Sequence, residues 1–308
     1  MMVPLVFCGL AINVMHKSGL FSMAADSSFY FSGVIAAILA IACPMPAGVH
    51  QLVILLTATA VGGLIGVIPV IIKRKTGANE LVISLMMNYI FFNFGYWLIR
   101  AFFLDEANGS FSVKFQKTAN LGKMIKGTNA HYGIFIMIAA VVFMWILMDK
   151  SKFGRELKIT GSNPSFAKYA GLKIGGIVIG SQLIGGMLAG LGGGVEMIGM
   201  YTHFQWITAQ TYVWDGILIN LLAGTKPLMI PVSAIFYFLH QNRSAGYVQR
   251  RRCGFRDCIH YSGNYHSSDC VRALYVSDEE AQGRKRSAAE SGDGNCWCKL
   301  RRRENGSF

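Results

Sequence analysis

The sequence predicts an all-α polytopic membrane protein, a bundle of about seven or eight transmembrane helices with a short helix on the cytoplasmic side. Two observations carry that prediction. Of its 308 residues 53% are hydrophobic and only 15% charged, where a soluble domain carries about a quarter charged residues. The apolar residues also lie in unbroken runs near the length that crosses a hydrocarbon core, about 20 residues per helix. A formal charge of +13 then fits Lys and Arg gathered beside membrane spans. It makes the lipid bilayer the partner and excludes nucleic acid.

Hydropathy marks the segments 3–14, 29–43, 51–72, 81–104, 132–148, 174–198, 212–222 and 228–239. The first is too short to cross. It lacks the basic leader and small-residue cleavage site of a signal peptide, so it reads as a transmembrane helix clipped at its start. The third ends on Lys73, Arg74 and Lys75, and the fifth opens into a loop holding Lys150, Lys152, Arg155, Lys158, Lys168 and Lys173. Ends two spans apart share a side, and an excess of Lys and Arg makes that side cytoplasmic. The 105–130 connection is then external, although it carries Lys114, Lys117, Lys123 and Lys126. Glu80 follows the Gly77-Ala78-Asn79 turn, where a carboxylate complements a helix N-terminus. In 174–198, Gly186, Gly190 and Gly194 recur at four-residue spacing, as do Gly176 and Gly180; that spacing lets helix backbones approach closely in lipid. The last two segments, split by Gly224 and Pro227, are either a discontinuous helix beside a transport path or an ordinary hairpin.

Within the basic loop, Ser162-Asn163-Pro164 is a helix start, since Ser or Asn caps and Pro suits the first turn. Gly171 supplies the stop. About two turns result, from Pro164 to Ala170, with Phe166, Ala167 and Ala170 available as contacts. So short a helix is unstable alone in water. It either docks on a partner or lies flat on its own membrane domain.

Three stretches then carry a family likeness: GRELKITGSNPSFAKYAGLKIGG with the following GGMLAGLGGGVEMIG, KRKTGANELVISLMMNYI at 73–90, and WDGILINLLAGTKP within 212–227. In this order they resemble the permease subunits of bacterial ABC importers for simple sugars and nucleosides, of the branched-chain amino acid/ribose-like permease superfamily. The likeness covers about residues 4–239. It implies a transport subunit in the bacterial cytoplasmic membrane, not an enzyme, with no cofactor and no metal site of its own. The implied complex holds a second permease chain, cytoplasmic ABC ATPases that bind ATP and Mg, and an extracytoplasmic substrate-binding lipoprotein. The resemblance makes the short loop helix a coupling helix that seats in the ATPase, formed by Gly161, Asn163, Pro164, Phe166, Ala167, Tyr169, Ala170 and Gly171. It also implies alternating access driven from the ATPase. The chain has no Gly-x-x-x-x-Gly-Lys-Ser/Thr loop, which places ATP hydrolysis on another chain.

Polar groups inside spans are costly and therefore mark a path or a helix–helix tie. Asn88, Glu196, Trp214, Asp215 and Asn220 are the candidates. Asn88 suits a sugar hydroxyl or a base edge, or joins two helices; Trp214 with Asp215 suits stacking and hydrogen bonding to a nucleoside, or is an interfacial pair. The sequence departs from the family at 21–30, FSMAADSSFY, where the family has an Asn-Ile-Gly-x-Glu-Gly-Gln-like motif; the expected acidic and amide groups are lacking, which weakens a nucleoside assignment. An ion-coupled secondary transporter, a non-transporting scaffold and a non-functional truncated permease are the rival readings.

Past residue 240 the chain turns polar and basic. Five of its seven cysteines fall there: Cys253, Cys258, Cys270, Cys296 and Cys298. His, Tyr, Asn and Asp codons, read one nucleotide later, give Ile, Met or Thr, so the run from His260 to His266 converts to an Ile/Thr-rich span. The 1–240 permease domain is thus expected to be followed by a frameshifted, disordered 241–308 tail, and loss of the last span to leave the chain unstable or inactive. A zinc module from Cys253, Cys258, His260, His266 and Cys270 fits the usual ligand spacings poorly.

Overall fold

The computed structural model describes residues 2–20, 22–43, 46, 48–103, 112–116, 118–122, 132–206 and 210–252, with side chains as far as 241. The cysteine-rich tail, its proposed frameshift and the zinc alternative lie outside the described residues. Residues Met1–Phe238 form one unit and Leu239–Phe308 a second, of which the described part is the C-terminal stretch of the last helix.

The helices run α1 (Met2–Lys17), α2 (Ala24–Ala42), α3 (Val49–Thr76), α4 (Glu80–Phe102), α5 (Gly133–Trp145), α6 (Lys152–Ser162), α7 (Pro164–Tyr169), α8 (Ile174–Met200), α9 (Tyr212–Leu222) and α10 (Ile230–Arg252). A π-helical turn, Ile146–Lys150, continues α5, and a 3-10 turn, Pro227–Met229, precedes α10. By length and composition α2, α3, α4, α5 with its π turn, and α8 can each cross a membrane, while α9 and the following helix form a pair bent by 116°. With the shorter apolar α1, an apolar helix stands at each of the eight predicted segments. This is an all-α multi-pass membrane protein.

Two differences from the sequence reading have simple causes. The 150–173 loop is mostly helical: Ser151 caps α6 by accepting from the Gly154 N–H at 3.2 Å, a start that the nearby charges conceal. The last segment also continues as helix to Arg252, past the predicted 239. Hydropathy reports where apolar character ends, not where helical hydrogen bonding does.

α8 is the hub, with α3, α2 and α1 packed on it. Every residue of α1 from Val3 to Met15 is buried, as expected of a helix apolar on all sides. Against α3 the contact is backbone on backbone. A Cβ placed on Gly62 would stand 2.6 Å from both the Gly186 oxygen and the Gly190 Cα; one on Gly186 would stand 2.5 Å from the Gly62 oxygen. Ala58 meets Gly190 and Gly194 in the same seam. The predicted Gly186–Gly190–Gly194 stripe therefore packs. Gly176 faces open space and Gly180 meets only the Phe153 ring, so the other spaced pair does not.

Basic residues collect at one end. Lys17, Lys158 and Lys226, with Asp149 bonded to Lys158 at 2.8 Å, surround a cleft of about 670 Å³. Arg74 at the end of α3 abuts Gly175 at the start of α8, and Lys73 pairs with Glu80 at 3.3 Å across the α3–α4 turn. At the other end, residues 112–116 and 118–121 strap the bundle: Phe115 N donates to Thr202 O at 2.8 Å, Gln116 N to Ala40 O at 3.1 Å and Leu121 N to Ile198 O at 2.9 Å.

Candidate functional site

The beginning of α2 leaves backbone N–H groups without partners in its own first turn, and its first-turn cap residue, Met23, has no capping side chain. α4 supplies two of the acceptors. Met23 N donates to Ser84 Oγ and Ser27 N to Asn88 Oδ1, each at 3.1 Å. Beside this junction lies a cavity of about 370 Å³, lined by Asp26, Ser27 and Tyr30 of α2, by Leu85, Asn88, Tyr89, Phe92 and Asn93 of α4, and by Gln210 and Trp214 at the start of α9.

Its walls combine aromatic faces with unspent polar capacity. Tyr30 is buried and its hydroxyl has no hydrogen-bond partner among the described residues. The Asp26 carboxylate makes no hydrogen bond or ion pair among the described residues, while its backbone N–H donates to Met23 O at 3.2 Å. Asn88 spends its oxygen on Ser27, which fixes the amide orientation and keeps its NH2 as a donor. Among the described residues no Lys, Arg or His lines the cavity. It suits a neutral, partly flat ligand that both donates and accepts.

Behind it an aromatic core holds α2 in place. Trp206, on the segment leading from α8 to α9, stacks on Phe29 at 5.5 Å between centroids, and Tyr212 meets Phe29 edge-on at 5.7 Å. Gly33 makes room for the indole, since a Cβ there would collide with it.

Of the five predicted pathway residues, Asn88 and Trp214 share the cavity; Trp214 is 50% exposed. The other three sit at helix junctions. Asp215 accepts from the Tyr237 hydroxyl at 2.7 Å, tying α9 to α10. Asn220 accepts from Asn13 Nδ2 at 2.7 Å, tying α9 to α1. Glu196 is buried within α8 and interacts with Tyr212. Of the adjacent pair, Trp214 lines the cavity, while Asp215 bonds Tyr237. The acid in the cavity is instead Asp26, within the 21–30 stretch that reads from sequence as lacking one. Its position before the apolar run that begins at 29 hid it. The rule that flagged Asn88, a polar group inside a span, would have found Asp26 had the span been started one turn earlier; Tyr30 already lies within it.

The second site is α7. Asn163 caps it, its Oδ1 accepting from Phe166 N at 3.0 Å, and Pro164 opens the first turn. Gly171 closes it at φ 75°, with Leu172 N donating to Ala167 O at 3.0 Å. Ala167 is buried as the anchor, while Phe166 is 59% and Tyr169 92% exposed, and Ala170 is exposed with them. Gly161 stands apart from this surface. It packs the end of α6 onto the Lys17 carbonyl and Gly19.

A family described as the permease component of the branched-chain amino acid transport system matches residues 1–257. The chain belongs to that family. This permease is 30% identical over 237 residues to the guanosine ABC transporter permease protein NupP of Bacillus subtilis (strain 168), covering 75% of this chain and 68% of that one. It is 27% identical over 247 residues to the glucose ABC transporter permease protein TsgB13 of Haloferax volcanii, covering 76% and 65%. It is also 27% identical over 259 residues to the nucleoside ABC transporter permease protein NupB of Lactococcus lactis subsp. cremoris, covering 79% and 70%. The permease thus spans about two thirds of the length of these relatives. No solved structure matches it.

Proposed function

We propose that this permease is the membrane-spanning subunit of an ATP-driven importer for nucleosides or simple sugars, moving its substrate by alternating access in the bacterial cytoplasmic membrane. The observation that carries the reading is the presence, in one chain, of a polar–aromatic cavity between α2, α4 and α9 and a capped two-turn helix with two bare aromatics at the basic end. Relatives named for guanosine, nucleosides and glucose agree with the chemistry of the cavity walls.

α7 is the coupling helix in this reading. Docking in an ATPase groove buries Phe166 and Tyr169, each contributing on the order of 2 kcal/mol. The helix is held by its cap and by Ala167, so a push on it is carried rather than absorbed. A contiguous route leads inward: α6 packs on the end of α1 through Gly161, α1 packs along α9, and α9 carries Trp214 into the cavity. ATP and Mg act on the partner ATPase; a second permease chain completes the path, and a substrate-binding lipoprotein delivers the cargo from outside. The ATPase biases the cavity only so far as its contacts with α7 differ between the two states.

The test is reconstitution of the permease with its ATPase in proteoliposomes. Uptake of guanosine or D-ribose is expected to require ATP. The double variant Phe166→Ala/Tyr169→Ala should lose at least about nine tenths of substrate-stimulated ATP hydrolysis while eluting as the same folded species. Uptake that follows an ion gradient and ignores the ATPase would replace this reading with a secondary transporter.

A further inference from the structure

We infer that Asp26 is the specificity-determining residue of the cavity and that the ligand it selects is a purine nucleoside with adjacent N–H donors on its base edge, the guanine pattern. This rests on the reading of the cavity as the substrate site and adds to it the substrate's donor pattern.

An ionised carboxylate accepts hydrogen bonds and donates none. Asp26 lines the cavity, and its carboxylate makes no hydrogen bond or ion pair among the described residues, so its acceptor capacity is available to a ligand. The two oxygens of a carboxylate match two parallel donors side by side. A guanine edge presents such a pair, N1–H and the 2-amino group. Hypoxanthine keeps only N1–H. Adenine places an acceptor, N1, beside its amino donor and would set a lone pair against the carboxylate.

The rest of the lining favours a flat base over a sugar alone. Tyr89 and Phe92 come from α4, Trp214 from α9 and Tyr30 from α2, so aromatic surface arrives from three separate elements. A planar base has two π faces to offer such a lining, whereas a sugar ring is studded with hydroxyls. The lone buried Tyr30 hydroxyl and the Asn88 NH2 remain for the acceptors of the base or the ribose. The absence of Lys, Arg and His among the described lining residues argues against nucleotides, whose phosphates would enter without a counter-charge.

The experiment is equilibrium binding of radiolabelled guanosine to the full chain in lipid nanodiscs, with unlabelled inosine, adenosine and D-ribose as competitors. Guanosine should compete at least about tenfold better than inosine, and inosine better than adenosine, because a site built to accept specific donors rejects analogues that lack them. Asp26→Asn should flatten that order, weakening guanosine about tenfold or more and adenosine little. The comparison of guanosine with inosine on the unaltered chain needs no variant to fold. Equal competition by guanosine and adenosine would overturn the assignment of Asp26, and so would an equal loss for all nucleosides in Asp26→Asn. Binding of D-ribose with no nucleoside bound would overturn the nucleoside assignment yet keep the cavity as a substrate site. Binding of none of the four would overturn both readings.

Discussion

The α3–α8 seam and the α2–α4 junction join neighbouring helices of the same bundle with opposite materials. In the seam Gly62 and Gly66 face Gly186 and Gly190, and the attraction is dispersion between backbones brought close together. There are no rotamers to change and no bonds to exchange. At the junction, Ser84 and Asn88 hold the start of α2 by two side-chain hydrogen bonds, and a cavity opens beside them. Those bonds can lengthen, rotate or be traded for a ligand. The seam is frame; the junction is where a substrate can be felt.

The largest effect should come from breaking the frame. Gly186→Ala puts a Cβ 2.5 Å from the Gly62 carbonyl oxygen, and backbone cannot step aside as a flexible side chain does. A loss of about 3 kcal/mol is expected, read as a fall in thermal midpoint and in the monodisperse fraction in detergent. Gly176→Ala is the matched control: nothing lies within 4 Å of its Cβ, so it should gain the helix propensity of Ala, up to about 1 kcal/mol. Similar behaviour of the two variants would show that the stripe is compositional and not a contact.

An intermediate effect is expected where α1 meets α9. Asn13 and Asn220 share one hydrogen bond of 2.7 Å, yet Asn13 Oδ1 and Asn220 Nδ2 are buried with no partner among the described residues. Truncating either residue alone strands the other amide and should cost about 2 kcal/mol. Replacing both with Leu removes the stranded groups as well, so the double variant should be less destabilised than the sum of the singles. A double-mutant cycle on thermal stability measures this directly. Strict additivity would show that the pair is not coupled.

Much of the frame was legible in the sequence because it is written in local spacing. The Gly186 stripe, the Asn163-Pro164 start, the Gly171 stop and the apolar segments all follow from rules that act within a few residues. The cavity was legible only in part, since its walls come from α2, α4 and the start of α9 and no spacing rule joins them. Asn88 and Trp214 were found as polar or amphipathic residues in apolar surroundings. Asp26 lies before the apolar run that begins at 29, and Asp215 stands out as a polar group inside a span beside Trp214. Which of two neighbouring helical residues faces a cavity depends on the helix's rotation, and that is set by tertiary contacts such as the bond from Tyr237 to Asp215.

The smallest effect is also the sharpest test of the junction. Ser84→Ala and Asn88→Leu each remove one acceptor from the start of α2, and each should cost about 1 kcal/mol, the usual worth of a helix cap. They differ in what else they remove. Ser84 is buried and does not line the cavity, whereas Asn88 does, and its NH2 is free to meet a ligand. Ser84→Ala should therefore lower the thermal midpoint and leave guanosine binding nearly unchanged. Asn88→Leu should lower both, with the binding loss exceeding what stability explains. If Ser84→Ala weakens binding as much as Asn88→Leu does, then holding α2 is all that Asn88 does, and the junction is one more piece of frame.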